Sequence, residues 1–362
     1  MKNKVIAMYL PQYHPTPDND IWWGKGFTEW TNVARAKKLY PGHYQPKIPS
    51  ELGFYDLRLP QAREAQAQLA KEAGVYGFCY YHYWFGDGKL ELEFPLQEVL
   101  RLKSPDFPFC LCWANETWSR KFWNKDGNVV GKEDLVVQRY LGVKDNEKHF
   151  YYLLDAFKDE RYIKIDGKLL FMIYKPLEFP EVREFIIQWN ELAKENNLPG
   201  FYFIGMSLDV DVEYDEMINL GFDGIFSNST RGINTKNLSW FINMLLRVLF
   251  KIPARFDFRK LHKTFVGEYE LRDNVFPKLM PNWDHSPRSK NNARVYTHTT
   301  PKVFQEHVEN VLSKIQGKDN EHRICFLKSW NEWGEGNYME PDLKYGRGYI
   351  DALKQALDKF ES

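Results

Sequence analysis

Eight times along these 362 residues, a short apolar or β-branched run leads into a polar, aromatic loop and then into a stretch with helical spacing. The apolar runs fall at 5–10, 75–83, 107–113, 169–174, 201–206, 224–227, 276–281 and 324–330. Apolar residues recur with a 3.6-residue period at 60–73, 95–102, 146–157, 180–195, 214–220, 238–252, 301–315 and 348–360, all but 146–157 starting or stopping on Pro or Gly. Eight strands alternating with eight helices predict a closed α/β architecture, the (β/α)8 TIM barrel. An open dinucleotide-binding sheet would show a Gly-rich first turn, whereas the first run here is followed by Pro11-Gln12-Tyr13-His14. No repeat, low-complexity tract or Gly/Ser/Pro-rich linker interrupts the pattern, so a single domain over 1–362 is expected, with long βα loops and an insertion-like region at about 231–274.

Charge and apolar patterning narrow the function. Lysine plus arginine is 49 and aspartate plus glutamate is 49, whereas a nucleic-acid binder working by counterion release needs basic excess. No nucleic-acid partner is expected. The apolar run 5–10 is too short for a signal-peptide core. The most apolar helical stretch, 238–252, contains Ser239, Asn243, Arg247 and Lys251, so no transmembrane segment is expected. It reads as a domain-packing helix, with a place on a membrane surface as the alternative. Cys79, Cys110, Cys112 and Cys325 lie inside apolar runs with no CxxC spacing, which predicts free thiols in a reducing cytoplasm. His14, His82 and His285 stand at no metal-ligand spacing, and neither a metal nor a cofactor is expected.

In a barrel of this kind the chemistry lies on loops at the carboxyl ends of the strands. After the first run come Tyr13, His14, Trp23, Glu29 and Trp30; after the second, His82, Tyr83 and Trp84; after the third, Asn115 and Glu116. Trp283 and Asp284 follow the seventh, and Trp330-Asn331-Glu332-Trp333-Gly334-Glu335-Gly336 closes the eighth. Neutral polar groups interleaved with indoles suit a sugar, whose CH faces stack on rings while its hydroxyls take amide and carboxylate hydrogen bonds. Glycoside cleavage needs one carboxylic acid to protonate the departing oxygen and a second carboxylate, and Glu332 and Glu335 supply both within four residues. An oligosaccharide or polysaccharide is the expected partner. An indole wall from Trp330 and Trp333 would help to hold one glutamate protonated.

The loop from Trp330 to Gly336, followed by Met339-Glu340-Pro341, resembles the catalytic loop of glycoside hydrolase family 99 and of the WbsX-like proteins of bacterial surface-polysaccharide clusters. The segments 7–14, 22–24, 27–30, 81–85, 113–116 and 281–284 are similar to the WbsX-like group over nearly the whole chain. The resemblance implies a (β/α)8 barrel and retaining endo-type action on an α-linked glycan. It assigns Glu332 as the base on the sugar 2-hydroxyl, giving a 1,2-anhydro intermediate, and Glu335 as general acid and base. A rival assignment makes Glu116 the acid and Glu332 a direct nucleophile. WbsX-like proteins are also called glycosyltransferases, and Asp209-Val210-Asp211 is a DxD triplet of the kind that holds a metal-bound nucleotide sugar. A sugar-binding module without catalysis would keep the tryptophans but needs neither glutamate. The 231–274 region either shapes the cleft or makes peripheral contact with a lipid-linked glycan.

Overall fold

The computed structural model describes residues 3–123, 129–233 and 238–361. Its centre is a closed barrel of eight parallel strands: β1 Lys4–Tyr9, β2 Gly77–Trp84, β3 Phe109–Trp113, β4 Lys168–Ile173, β5 Phe201–Ser207, β6 Gly224–Ser227, β7 Val275–Leu279 and β8 Ile324–Leu327. Each strand pairs with the next in sequence, and β1 closes the ring by pairing with β8 (Lys4 opposite Ile324) as well as β2 (Ile6 opposite Gly77). Such strands are covered on both faces, which is why they read as continuous apolar runs rather than alternating ones. All eight strands coincide with the eight predicted runs to within a few residues.

Each strand is followed by a helix: α1 Pro60–Glu72, α2 Phe94–Leu102, α3 Val143–Phe157, α4 Val182–Glu195, α5 Val210–Asn219, α6 Leu238–Phe250, α7 Pro301–Ile315 and α8 Gly348–Glu361. Prolines sit in the first turns of α1, α2 and α7, where a missing N–H costs nothing; in α7 the Thr300 hydroxyl also accepts from the Val303 amide. The helix expected at 214–220 starts four residues earlier, at Val210, with Asp209 in the capping position.

The long loops gather at one end. The first carries the short helices Pro17–Trp23 and Glu29–Arg35, and the third carries an antiparallel hairpin, Trp118–Trp123 with Val129–Val136. In the 231–274 region, residues 234–237 lie outside those described. Ile233, Phe258, Leu261 and Phe265 form a satellite apolar cluster with Met280, Tyr296 and Val303. A short parallel pair, Ala254–Asp257 with Arg294–Thr297, runs beside it. The 238–252 stretch packs on the protein through buried Asn243, which is bonded to the backbone of Arg255, with Leu246 half-buried, while Phe241, Leu245 and Leu249 are exposed. The four cysteines are buried and unpaired. Among the described residues no helix is long and apolar enough to cross a membrane.

Candidate active site

The loop after β8 is fixed from behind by groups that never meet solvent. Ser329 Oγ accepts hydrogen bonds from the amides of Asn331 (3.2 Å) and Glu332 (2.9 Å), which turns the chain sharply out of the strand. The Asn331 side chain accepts from Leu10 N (2.8 Å) and donates to Leu10 O (3.0 Å), stitching the ends of β8 and β1 together. Trp333 lies flat on Tyr338, ring centroids 3.8 Å apart, and its Nε1 donates to Glu340 at 2.6 Å. Glu340 also accepts from Tyr55 (2.9 Å) and Gln66 (2.6 Å), and its burial pushes the carboxyl up to about 7. A Cβ at Gly334 would stand 2.0 Å from a Glu29 carboxylate oxygen, and Gly336 takes φ +54° against Asp284. Both glycines therefore let the loop approach its neighbours more closely than any other residue permits.

Glu332 and Glu335 emerge on the open side of this loop and meet a cation from another loop. Arg288, in the short helix Ser286–Ser289, donates from Nη1 to Glu332 (3.1 Å) and to Glu335 (2.8 Å), and from Nε to Glu29 (3.0 Å). His285 Nε2 lies 3.3 Å from the same Glu335 oxygen. Burial, together with the charge of Glu335, pushes Glu332 up to about 7. At Glu335 burial acts in the same direction, but Arg288 and His285 outweigh it and hold the carboxyl at about 2. Because the two carboxyls are immediate neighbours, these steps belong to the pair, which holds one proton between them. Burial raises Glu332 while Arg288 and His285 lower Glu335, an order opposite to that implied for a base at 332 and an acid at 335.

A cavity of about 600 Å³ opens above the pair. Its walls come from Trp23 and Glu29 of the first loop, Tyr81 and Tyr83 of β2, Glu116 and the hairpin residues Trp118 and Lys132, Tyr174 after β4, and Lys328 after β8. Tyr83 packs edge-on to Trp118 with centroids 4.9 Å apart, and Tyr81 to Tyr174 at 6.0 Å. Burial raises the Glu116 carboxyl as well.

Of the residues singled out from sequence, Trp23, Glu29, Tyr83, Glu116, Glu332 and Glu335 line this cavity. The others lie behind or away from it. On β2 the pleat turns alternate residues outward, so His82 and Trp84 stack on His149 at centroid separations of 5.0 and 4.7 Å while Tyr81 and Tyr83 face in. Tyr13 receives the Trp333 amide on its hydroxyl (2.9 Å), and Trp30 donates to Tyr55 O (2.7 Å). His14 is buried against Phe94, its Nδ1 3.2 Å from Pro15 O. Asn115 joins Tyr140 to the Lys175 backbone, and Asn331 ties two strand ends. Trp330 and Trp333 are fully buried behind the loop, and the indoles that line the cavity are Trp23 and Trp118. Trp283 packs on the satellite cluster. The Asp284 carboxylate meets His43 at 2.8 Å and Gln45 at 2.7 Å; although it is buried, His43 and Lys47 hold it at about 2. It borders a second cavity, of about 650 Å³.

Arg288 was not among the residues singled out. No motif marks it, and only the need of three converging carboxylates for a counter-charge points to a cation, one of 49 in the chain. The Asp209-Val210-Asp211 triplet starts α5, where Asp211 is bound through both oxygens by Arg231.

A family model, described as glycosyltransferase WbsX, matches residues 5–353. The chain belongs to the WbsX family. Two proteins of Xanthomonas campestris pv. campestris strains, each called uncharacterized protein WxcX, are 34% identical to this WbsX-family chain over 361 residues. The match covers 98% of the chain but 50% of each relative, so the chain spans about half the length of the curated relatives it matches. Among solved structures, the GH99 endo-α-mannosidase of Bacteroides thetaiotaomicron superposes with a TM-score of 0.58 at 15% identity, covering 100% of this chain and 98% of that one. A glycoside hydrolase-like protein superposes at 0.63 and 16%, covering 98% and 94%. These likenesses place the WbsX-family barrel in the same fold as GH99.

Proposed function

We propose that this WbsX-family chain is a retaining, endo-acting glycoside hydrolase of an α-linked bacterial surface polysaccharide, an O-antigen-like glycan of lipopolysaccharide metabolism met in the cytoplasm, part of it still lipid-linked. The observation that carries the reading is the pair Glu332 and Glu335 on one nitrogen of Arg288, at the floor of a cavity walled by tyrosines and tryptophans. The pair enters the reaction with one proton, as cleavage through the sugar's own 2-hydroxyl requires: one carboxylate draws the hydroxyl proton while the other carboxyl protonates the glycosidic oxygen. The 2-oxygen then attacks C1 as the C1–O bond to the leaving sugar breaks, giving a 1,2-anhydro sugar that water opens. The sugar oxygen facing each glutamate sets which of them carries the proton in the complex. The buried, unpaired cysteines suit a reducing compartment.

The family's printed description favours a second reading, transfer from a nucleotide sugar. Against it, the DxD carboxylate Asp211 is already engaged by Arg231. Incubation of the purified chain with the polysaccharide alone separates the two: new reducing ends without added nucleotide sugar are expected, and product formed only when nucleotide sugar is supplied would establish the transferase.

The shared proton also sets the pH profile. The pair's upper step lies at about 7, so the proton needed by the leaving oxygen is present below it and lost as pH rises through it. kcat/KM on a soluble oligosaccharide is expected to be level in weak acid and to fall tenfold per pH unit well above 7. A profile rising through pH 7 would contradict the one-proton pair.

A further inference from the structure

Helix α6 exposes a row of its apolar side chains. Asn243, buried, donates from Nδ2 to Arg255 O and accepts from Arg255 N, both at 2.9 Å, and with half-buried Leu246 it marks the side of the helix that meets the protein. Phe241, Leu245 and Leu249 follow at four-residue spacing on the opposite side and are 55%, 56% and 61% exposed; Phe250 at the end of the helix is 65% exposed. An amphipathic helix of a water-surrounded globule has this arrangement reversed. The charge of the segment is as biased as its exposure. Residues 238–263 carry Arg247, Lys251, Arg255, Arg259, Lys260 and Lys263 against a single acid, Asp257, in a chain whose total is zero. At 13 residues the helix is too short to cross a bilayer but long enough to lie in its surface.

We propose that α6 is an interfacial anchor: Phe241, Leu245, Leu249 and Phe250 enter the headgroup layer of a bilayer containing anionic phospholipid, and the flanking cations meet the lipid phosphates. Charge complementarity selects this occupant over a second copy of the chain, since two copies meeting on α6 would bring two strongly basic segments together. An anionic surface satisfies the apolar stripe and the cations at once. This anchor holds the barrel at a membrane, where a lipid-carried glycan would be concentrated, but it does not depend on the hydrolase reading.

Vesicle sedimentation tests it with the whole chain and no glycan present. The protein is expected to bind vesicles of equal parts phosphatidylcholine and phosphatidylglycerol about tenfold or more tightly than phosphatidylcholine alone, and less tightly as salt is added. The double variant Leu245→Glu, Leu249→Glu should lose that binding while keeping its melting temperature and its rate on a soluble oligosaccharide. Arg247→Glu with Lys260→Glu should lose the preference for anionic vesicles. Undiminished vesicle binding by the leucine variant, or no binding of the parent chain to either vesicle, would overturn the proposal. So would a vesicle-indifferent dimer that the leucine substitutions dissociate, which would assign the face to a second copy.

Discussion

Glu335→Gln is expected to lower kcat by about 10³-fold or more, and Glu332→Gln by a similar factor, because an amide keeps the shape of the carboxyl but neither its charge nor its titrating proton. Glycan affinity should change little in either variant, as the cavity walls, from Trp23 to Tyr174, are untouched. Two residues that share one proton and one guanidinium work as a unit, so the double variant should be hardly slower than either single one. Glu116→Gln gives the contrast. Glu116 lines the same cavity, and a loss there far larger than at Glu335 would favour Glu116 as the acid. A 2-fluoro glycosyl donor with a good leaving group completes the comparison. With the 2-hydroxyl route no adduct forms on the protein, whereas a stable adduct mapped by mass spectrometry to Glu332 would establish direct attack by that side chain.

Arg288→Met is expected to cost both activity and stability. Arg288 is the cation to which Glu29, Glu332 and Glu335 all bond, and its side chain is only 23% exposed, so little water replaces it. Removing one partner of a buried charge cluster costs about 3–5 kcal/mol, because the carboxylates left behind stay desolvated and repel one another. Their folded-state pKa values would then lie above the unfolded value. Stability is fully present in that case only below the unfolded carboxylate range, about 4, and is lost as pH rises through the raised values. Denaturation at mildly acidic and at neutral pH should therefore show the variant's deficit growing toward neutrality, and a deficit that is flat with pH would rule out the charge-cluster account. Activity should fall at least 10²-fold, since no cation then holds one carboxyl of the pair ionised near neutrality. Arg288→Lys should rescue little, because one ammonium does not reproduce a planar fork spanning three carboxylates.

The barrel was legible because each strand and helix announces itself locally. A strand buried on both faces must be apolar throughout, a helix on its outside must be apolar every three to four residues, and Pro and Gly mark the joints. The acid-bearing loop was legible for a similar reason: Asn331, Glu332, Gly334, Glu335 and Gly336 are neighbours in sequence, and the close approach at Gly334 shows up as a glycine. For the 238–252 stretch composition measures how apolar a helix is but not which way it faces; Asn243 turns toward the protein because the backbone of Arg255, twelve residues away, takes both of its amide hydrogen bonds.

What the sequence by itself determined is the set of elements, their order, the aromatic and polar loops at the strand ends, and the loop that carries Glu332 and Glu335. What only the tertiary structure decided is the division of the aromatic residues and the counter-charge. Along Tyr81-His82-Tyr83-Trp84 the pleat sends neighbours to opposite faces, and ring closure makes the face with Tyr81 and Tyr83 the inner one. Trp333 went under the loop because Glu340 and Tyr338 offer its indole a hydrogen bond and a flat partner there. Arg288 lies 44 and 47 residues from the glutamates it binds, and nothing local distinguishes it from any other arginine. Charge acts through space, so its partners exist only once the seventh and eighth loops have been folded against each other.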